Sequence, residues 1–135
     1  MKFYFAGAIR GGRERVDIYL KINELLEKYG EVIDKHVASP NVFELETGLT
    51  QEDKYNRDVK WIKECDILVA EVSTPSLGVG YEVGYAEKLG KRVICICDKE
   101  VKLSCMINGN TYNELIIYQD VDDLLSQLEA KLKEN

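Results

Sequence analysis

Histidine is nearly missing from this sequence. His36 is the only one, and the four cysteines, Cys65, Cys95, Cys97 and Cys105, contain no C-x-x-C pair. That combination argues against a zinc site of the usual His-rich or Cys-rich kind, and against a Ser-His-Asp triad unless His36 itself is the base. The expectation for the thiols is four reduced core residues, with Cys95 and Cys97 sharing one face of an apolar strand. Positive charge is in short supply as well. Eighteen Lys and Arg stand against 24 Asp and Glu, leaving a net charge of −6 and a pI near 4.9. Such a balance excludes DNA and RNA as expected partners, because nucleic-acid binding depends on cations neutralising phosphates. A single phosphate on a small molecule is not excluded, since backbone N–H groups at a helix start bind one whatever the global charge. Long apolar runs are missing too. The stretch from Met1 to Ala8 is too short for the h-region of a signal peptide, and nothing later approaches a membrane span. A cytoplasmic protein is expected. Low-complexity segments and internal repeats are lacking, and 135 residues with 45% hydrophobic and 31% charged content suit one globular domain over 1–135.

What is present alternates between two periodicities. Lys2 to Ala6 reads as a strand, broken at Gly7-Ala8-Ile9-Arg10-Gly11-Gly12 before a helix from about Arg13 to Tyr29. That helix carries a 3.6-residue stripe at Val16, Tyr19, Leu20, Ile22, Leu25, Leu26 and Tyr29, and Gly30 is expected to close it. A second strand is expected over Glu31 to Val37, then a loop from Ala38 to Leu49. Thr50-Gln-Glu-Asp53 matches a capping box for a helix to about Cys65. Asp66 to Val72 reads as the third strand. Gly80 to Leu89 reads as a helix closed by Gly90, and Arg92 to Cys97 as the fourth strand. Ile116 to Tyr118 reads as the fifth, and Asp120 caps a last helix through Leu132. Strands alternating with helices imply an α/β, doubly wound, flavodoxin- or Rossmann-like parallel sheet of order 2-1-3-4-5. In that order ligands bind beyond the carboxyl ends of strands 1 and 3, and the two Gly-rich segments follow those two strands.

Two loops and two acids then stand out. Gly78-Val-Gly80 at a helix start would let backbone amides approach an anion, with Ser76 offering a hydroxyl. The spacing Gly78-x-Gly80-x-x-x-Gly84 is not the dinucleotide fingerprint, and tight helix-sheet packing is an equal explanation for these glycines. Glu82 falls near the start of that helix among Val79, Tyr81, Val83 and Tyr85, where its alternative is simple helix-dipole stabilisation. Asp58 lies on the apolar face of its own helix, where an unpaired carboxylate is costly and a buried hydrogen-bonding role is the alternative. Two carboxylates converging on an anion-binding turn suggest glycoside chemistry, one a nucleophile and the other a general acid, with Tyr4 able to orient one of them.

The segments Tyr4 to Gly12, His36-Val-Ala38, Asp58-x-x-Trp61, Ala70 to Glu82 and Leu103 to Ile107 resemble the 2′-deoxynucleoside 5′-phosphate N-hydrolase family. This is a branch of the nucleoside 2-deoxyribosyltransferase superfamily. The resemblance implies hydrolysis of the N-glycosidic bond of (2′-deoxy)nucleoside 5′-monophosphates to free base and sugar 5-phosphate, without metal or organic cofactor. It implies that Glu82 is the nucleophile, Asp58 the acid assisting the leaving base, and Tyr4 the hydroxyl that positions Glu82. Ser76, Gly78 and Gly80 match the 5′-phosphate site. Gly7, Ala8, Ile9, Arg10, Gly11, His36 and Met106 match substrate-pocket positions, Ala8 standing where animal members carry a serine beside the sugar. Ser104 is similar to a serine that reaches the phosphate from the neighbouring subunit, which implies a homodimer. Two alternatives remain: transfer of the sugar to a second base, and a nucleotide-binding module that cleaves nothing.

Overall fold

The alternation of apolar faces along the strands sets the architecture. In the computed structural model, which describes residues 1–134, five parallel strands form one sheet in the order β2-β1-β3-β4-β5. They are β1 (Lys2–Ala6), β2 (Glu31–Val32), β3 (Ile67–Glu71), β4 (Arg92–Asp98) and β5 (Glu114–Tyr118). The helices are α1 (Val16–Glu27), α2 (Val42–Leu45), α3 (Gln51–Glu64), α4 (Leu77–Lys88), α5 (Cys105–Asn108) and α6 (Val121–Lys133), with a 3-10 turn at Lys35–Ala38. Phe3, Phe5, Ile67, Val69, Ile94 and Ile96 pack on one face with α1 and α6. Tyr4, Ala6, Leu68, Ala70, Val93 and Cys95 pack on the other with α3 and α4. Among the described residues no helix is long and apolar enough to cross a membrane.

Several local expectations hold for the reasons given. Thr50 and Asp53 form the reciprocal capping box of α3, and the Asp120 side chain caps α6. Gly90, at φ +75°, closes α4, with the Gly90 and Lys91 amides bonded to the Glu87 and Ala86 carbonyls.

Others do not. The second strand stops at Val32 rather than Val37, because the Asp34 carboxylate takes the Phe5 N–H at 2.8 Å, where a strand would offer a ladder carbonyl. The chain then turns into the 3-10 segment. The expected loop from Ala38 to Leu49 contains α2, anchored by fully buried Val42. Helix α1 starts at Val16 and is over by Glu27. Gly30 is required for a close approach instead of a helix cap, since a Cβ there would lie 2.3 Å from the Met1 carbonyl oxygen. Cys65, Cys95 and Cys97 are buried free thiols, but Cys105 is exposed at the start of α5, a helix with no apolar period long enough to be read.

Candidate active site

Beyond the carboxyl ends of β1 and β3 the two Gly-rich loops close on each other. A Cβ on Gly11 would sit 2.4 Å from the Pro75 carbonyl oxygen, so only glycine permits this approach. The Arg13 guanidinium holds the first loop from beneath, donating to the carbonyls of Ala8, Val37 and Ser39 at 2.8 Å each. The second loop runs into α4. There the Ser76 hydroxyl accepts the Val79 N–H at 3.2 Å and keeps its own proton to donate. Leu77 and Gly78 begin the helix, so their amides point out of its N-terminus.

Between the loops and α3 lies a cavity of about 750 Å³. Gly7, Ile9, Arg10, Gly11, Ser76, Gly78, Asp58 and Glu82 line it, together with Val37, Tyr55, Val59, Ile62, Pro75, Leu77, Val79 and Tyr81. The walls are mainly apolar, and charge enters only at Arg10, Asp58 and Glu82. Glu82 accepts a short hydrogen bond from the hydroxyl of Tyr4, which rises from the sheet below. Burial pushes the Glu82 carboxyl up to about 8; the Tyr4 hydrogen bond opposes the rise and the nearby Asp58 charge adds to it. Burial, followed by the charges of Glu82, Asp34 and Asp58, holds the Tyr4 phenol well above its ordinary value. The hydroxyl therefore acts as a donor.

Asp58 does not stand unpaired on its helix face. It is 30% exposed and accepts from Arg57 Nε at 3.0 Å. Burial still raises it, against the pull of Arg57. Arg57 also pairs with Glu46 at 2.8 Å and lies 5.0 Å above the Trp61 ring. His36 sits behind this pair, with Nε2 at 3.2 Å from Arg57 and 3.8 Å from Glu46. Burial and then the Arg57 charge push its imidazole down, and it does not line the cavity.

Four other expected site residues also lie elsewhere. Ala8 is fully buried, its N–H donating to the Tyr19 hydroxyl at 3.0 Å. Gly80, Ser104 and Met106 line a neighbouring groove of about 510 Å³ that shares Ser76 and Leu77 with the main cavity. Helix-sheet packing does not explain the glycines of α4. Cβ atoms at Gly80 and Gly84 would meet nothing within 4 Å, and one at Gly78 would meet only the Ser76 hydroxyl at 3.9 Å. The sequence reading missed Arg57, Glu46, Tyr55 and Tyr81. Tyr55 carried a signal, falling one turn before Asp58 on the same helix face.

Comparisons with known proteins agree on one family. The family model described as nucleoside 2-deoxyribosyltransferase matches residues 3–116. A Nematostella vectensis protein, provisionally named 2′-deoxynucleoside 5′-phosphate N-hydrolase 1, is 43% identical over 133 residues, covering 92% of this chain and 90% of its own. The 5-hydroxymethyl-dUMP N-hydrolase of Danio rerio is 38% identical, with 100% of both chains covered. Among solved structures, the CMP N-glycosidase of Clostridium botulinum superposes with a TM-score of 0.71 at 24% identity, covering 97% of this chain and 99% of its own. At that identity the likeness is one of fold.

Proposed function

The chain belongs to the nucleoside 2-deoxyribosyltransferase family, and from that premise we propose that it is an N-glycosidase acting on (2′-deoxy)nucleoside 5′-monophosphates. Residues 1–135 are taken as one such domain, and the products as free base and sugar 5-phosphate. The observation that carries the reading is Glu82, half-buried and held by Tyr4, facing the same cavity as Asp58 beside the N-terminus of α4.

In the proposed reaction a Glu82 oxygen attacks the anomeric carbon as the bond to the base breaks. Asp58 gives its proton to the departing base nitrogen. The resulting ester is hydrolysed by water, whose proton returns to Asp58 while Glu82 leaves as carboxylate. Negative charge beneath the ring stabilises the oxocarbenium character of both transition states, and a sugar without a 2′-hydroxyl reaches that state more readily. The Ser76 hydroxyl and the Leu77 and Gly78 amides suit the 5′-phosphate, with Arg10 facing it from the opposite loop. A substrate panel of matched ribo and deoxyribo monophosphates tests this. Base release is expected from the wild-type chain, and Glu82→Ala retaining that rate would refute the assignment. The family's name favours a second reading, transfer of the sugar to another base. An added acceptor base separates the two, since only a transferase yields a new nucleoside.

A second copy of the chain is proposed to cover the outer face of α4. Its support is the open surface at Gly80 and Gly84 and the exposure of Leu77 (97%) and Met106 (75%), which flank the groove holding Ser104. In such a homodimer the Ser104 hydroxyl would reach the phosphate site of the neighbouring subunit. Dimers mixing wild-type and Ser104→Ala chains should then lose phosphate-dependent affinity at one site of the two, measured by titration calorimetry.

A further inference from the structure

Glu71 ends β3 and is 0% exposed, yet it takes no part in the chemistry proposed above. Both of its oxygens are occupied. Oε1 accepts the Ser73 N–H at 2.7 Å; Oε2 accepts the Ser73 hydroxyl at 2.9 Å and the Tyr118 hydroxyl at 2.7 Å. The Ser73 oxygen accepts in turn from the Asp98 N–H at 2.8 Å. Arg15 reaches the Tyr118 hydroxyl at 3.3 Å and Asp98 Oδ2 at 3.1 Å. Three strand ends and the approach to α1 are thus tied through one carboxylate.

A carboxylate withdrawn from water is expensive, and a well-packed apolar side chain would join three strands at least as well. What an apolar side chain could not do is fix the backbone that follows. Ser73 is clamped at its amide and its hydroxyl, and Thr74 is buried. The Pro75 carbonyl is wedged against Gly11. Ser76 then caps α4, three residues after the clamp. Burial pushes the Glu71 carboxyl upward, and the bonds from Tyr118 and Ser73 pull it back, as donors to a carboxylate do.

We infer that Glu71 is a positioning residue for the anion site: by clamping Ser73 it presets the Ser76 hydroxyl and the Leu77 and Gly78 amides, and so sets the preference for a phosphorylated nucleoside over a bare one. The inference rests on the phosphate site proposed above. In Glu71→Gln a neutral amide replaces the carboxylate, so its NH2 meets the Ser73 and Tyr118 hydroxyls only if they turn to accept, and every bond of the clamp loses its charge assistance. The measurement is titration calorimetry on the full-length chain carrying Glu82→Ala, which prevents turnover, with a 2′-deoxynucleoside 5′-monophosphate, the matching nucleoside and inorganic phosphate. Adding Glu71→Gln is expected to weaken the monophosphate and inorganic phosphate about tenfold and leave the nucleoside unchanged. Equal losses for all three ligands, or no loss, would overturn it. Should Glu71→Gln not fold, Tyr118→Phe removes a single hydroxyl from the clamp. It is expected to give a smaller loss, about threefold, confined to the phosphorylated ligands, and unchanged monophosphate affinity overturns the inference. A Glu82→Ala parent that binds neither nucleoside nor monophosphate would instead sink the functional reading itself.

Discussion

A carboxylate that must attack as an anion is opposed by the burial around it, and at Glu82 the conflict has a measurable position on the pH scale. Burial pushes the Glu82 carboxyl up to about 8, and because the reaction also needs Asp58 to keep its proton, base release runs through the singly protonated pair: kcat/KM should follow a bell whose alkaline limb lies at about 8. Tyr4 is the one hydrogen-bond donor that opposes this rise. Tyr4→Phe should therefore move the limb to higher pH and lower kcat/KM at pH 7 by about 10- to 100-fold, the range for a hydrogen bond to a charged group. A pH profile with an unmoved limb would remove Tyr4 from its proposed role. The same shift links to stability. Unfolded, Glu82 ionises near its ordinary 4.5; folded, near 8. The folded state thus holds the proton more tightly, an advantage complete below pH 4.5 and lost as pH climbs through 8. Glu82→Gln mimics the protonated acid and cannot ionise. Urea unfolding should show it more stable than wild type at pH 9, on the order of a few kcal/mol, and nearly equal at pH 4.

At the scale of elements, α4 carries glycines whose cost nothing in one chain explains. Glycine inside a helix is less stable than alanine by about 0.5–1 kcal/mol, and Gly80 and Gly84 have open space where a Cβ would go. Each alanine substitution should raise the stability of the isolated chain by about that amount, seen as a higher Tm. If a second copy seats on this face, sedimentation equilibrium should show weaker self-association in the same variants. Stabilised variants that associate as before would put the interface elsewhere. Local elements were legible in the sequence where one residue type carries a backbone requirement. Thr50 with Asp53, Asp120 and Gly90 each end or begin a helix as read. They were not legible where a side chain substitutes for backbone. No propensity rule anticipates that Asp34 ends the second strand by accepting the Phe5 N–H. Helix α2, at four residues, is too short to show a period and is tethered through Glu46 to Arg57.

Across the whole molecule the sheet separates structure from chemistry, and that division explains how far the site could be read. Gly7, Ile9, Arg10, Gly11, Ser76, Gly78, Asp58 and Glu82 were reachable because topology alone puts the two loops and the α3–α4 side at the switch point. Ala8 and His36 do not line the cavity, because which way a loop residue faces depends on contacts distant in sequence: Tyr19 for Ala8, Arg57 for His36. Of the cluster under α1 and α6, only Ile9 and Val37 reach the cavity, at its edge and away from α6. Under α6, Leu124, Leu128 and Leu132 pack against Ile116 and Tyr118. Leu128 is 0% exposed, and Leu128→Ala should lower stability by about 2–5 kcal/mol through the void it leaves. Because α6 bears on β5 and α1 rather than on α3 or α4, kcat/KM per folded molecule at 25 °C should stay at the wild-type value. Urea unfolding combined with base-release kinetics measures both quantities. A parallel loss of kcat/KM in the fully folded variant would show that the sheet transmits strain from its α6 face to Glu82, contrary to the separation drawn here.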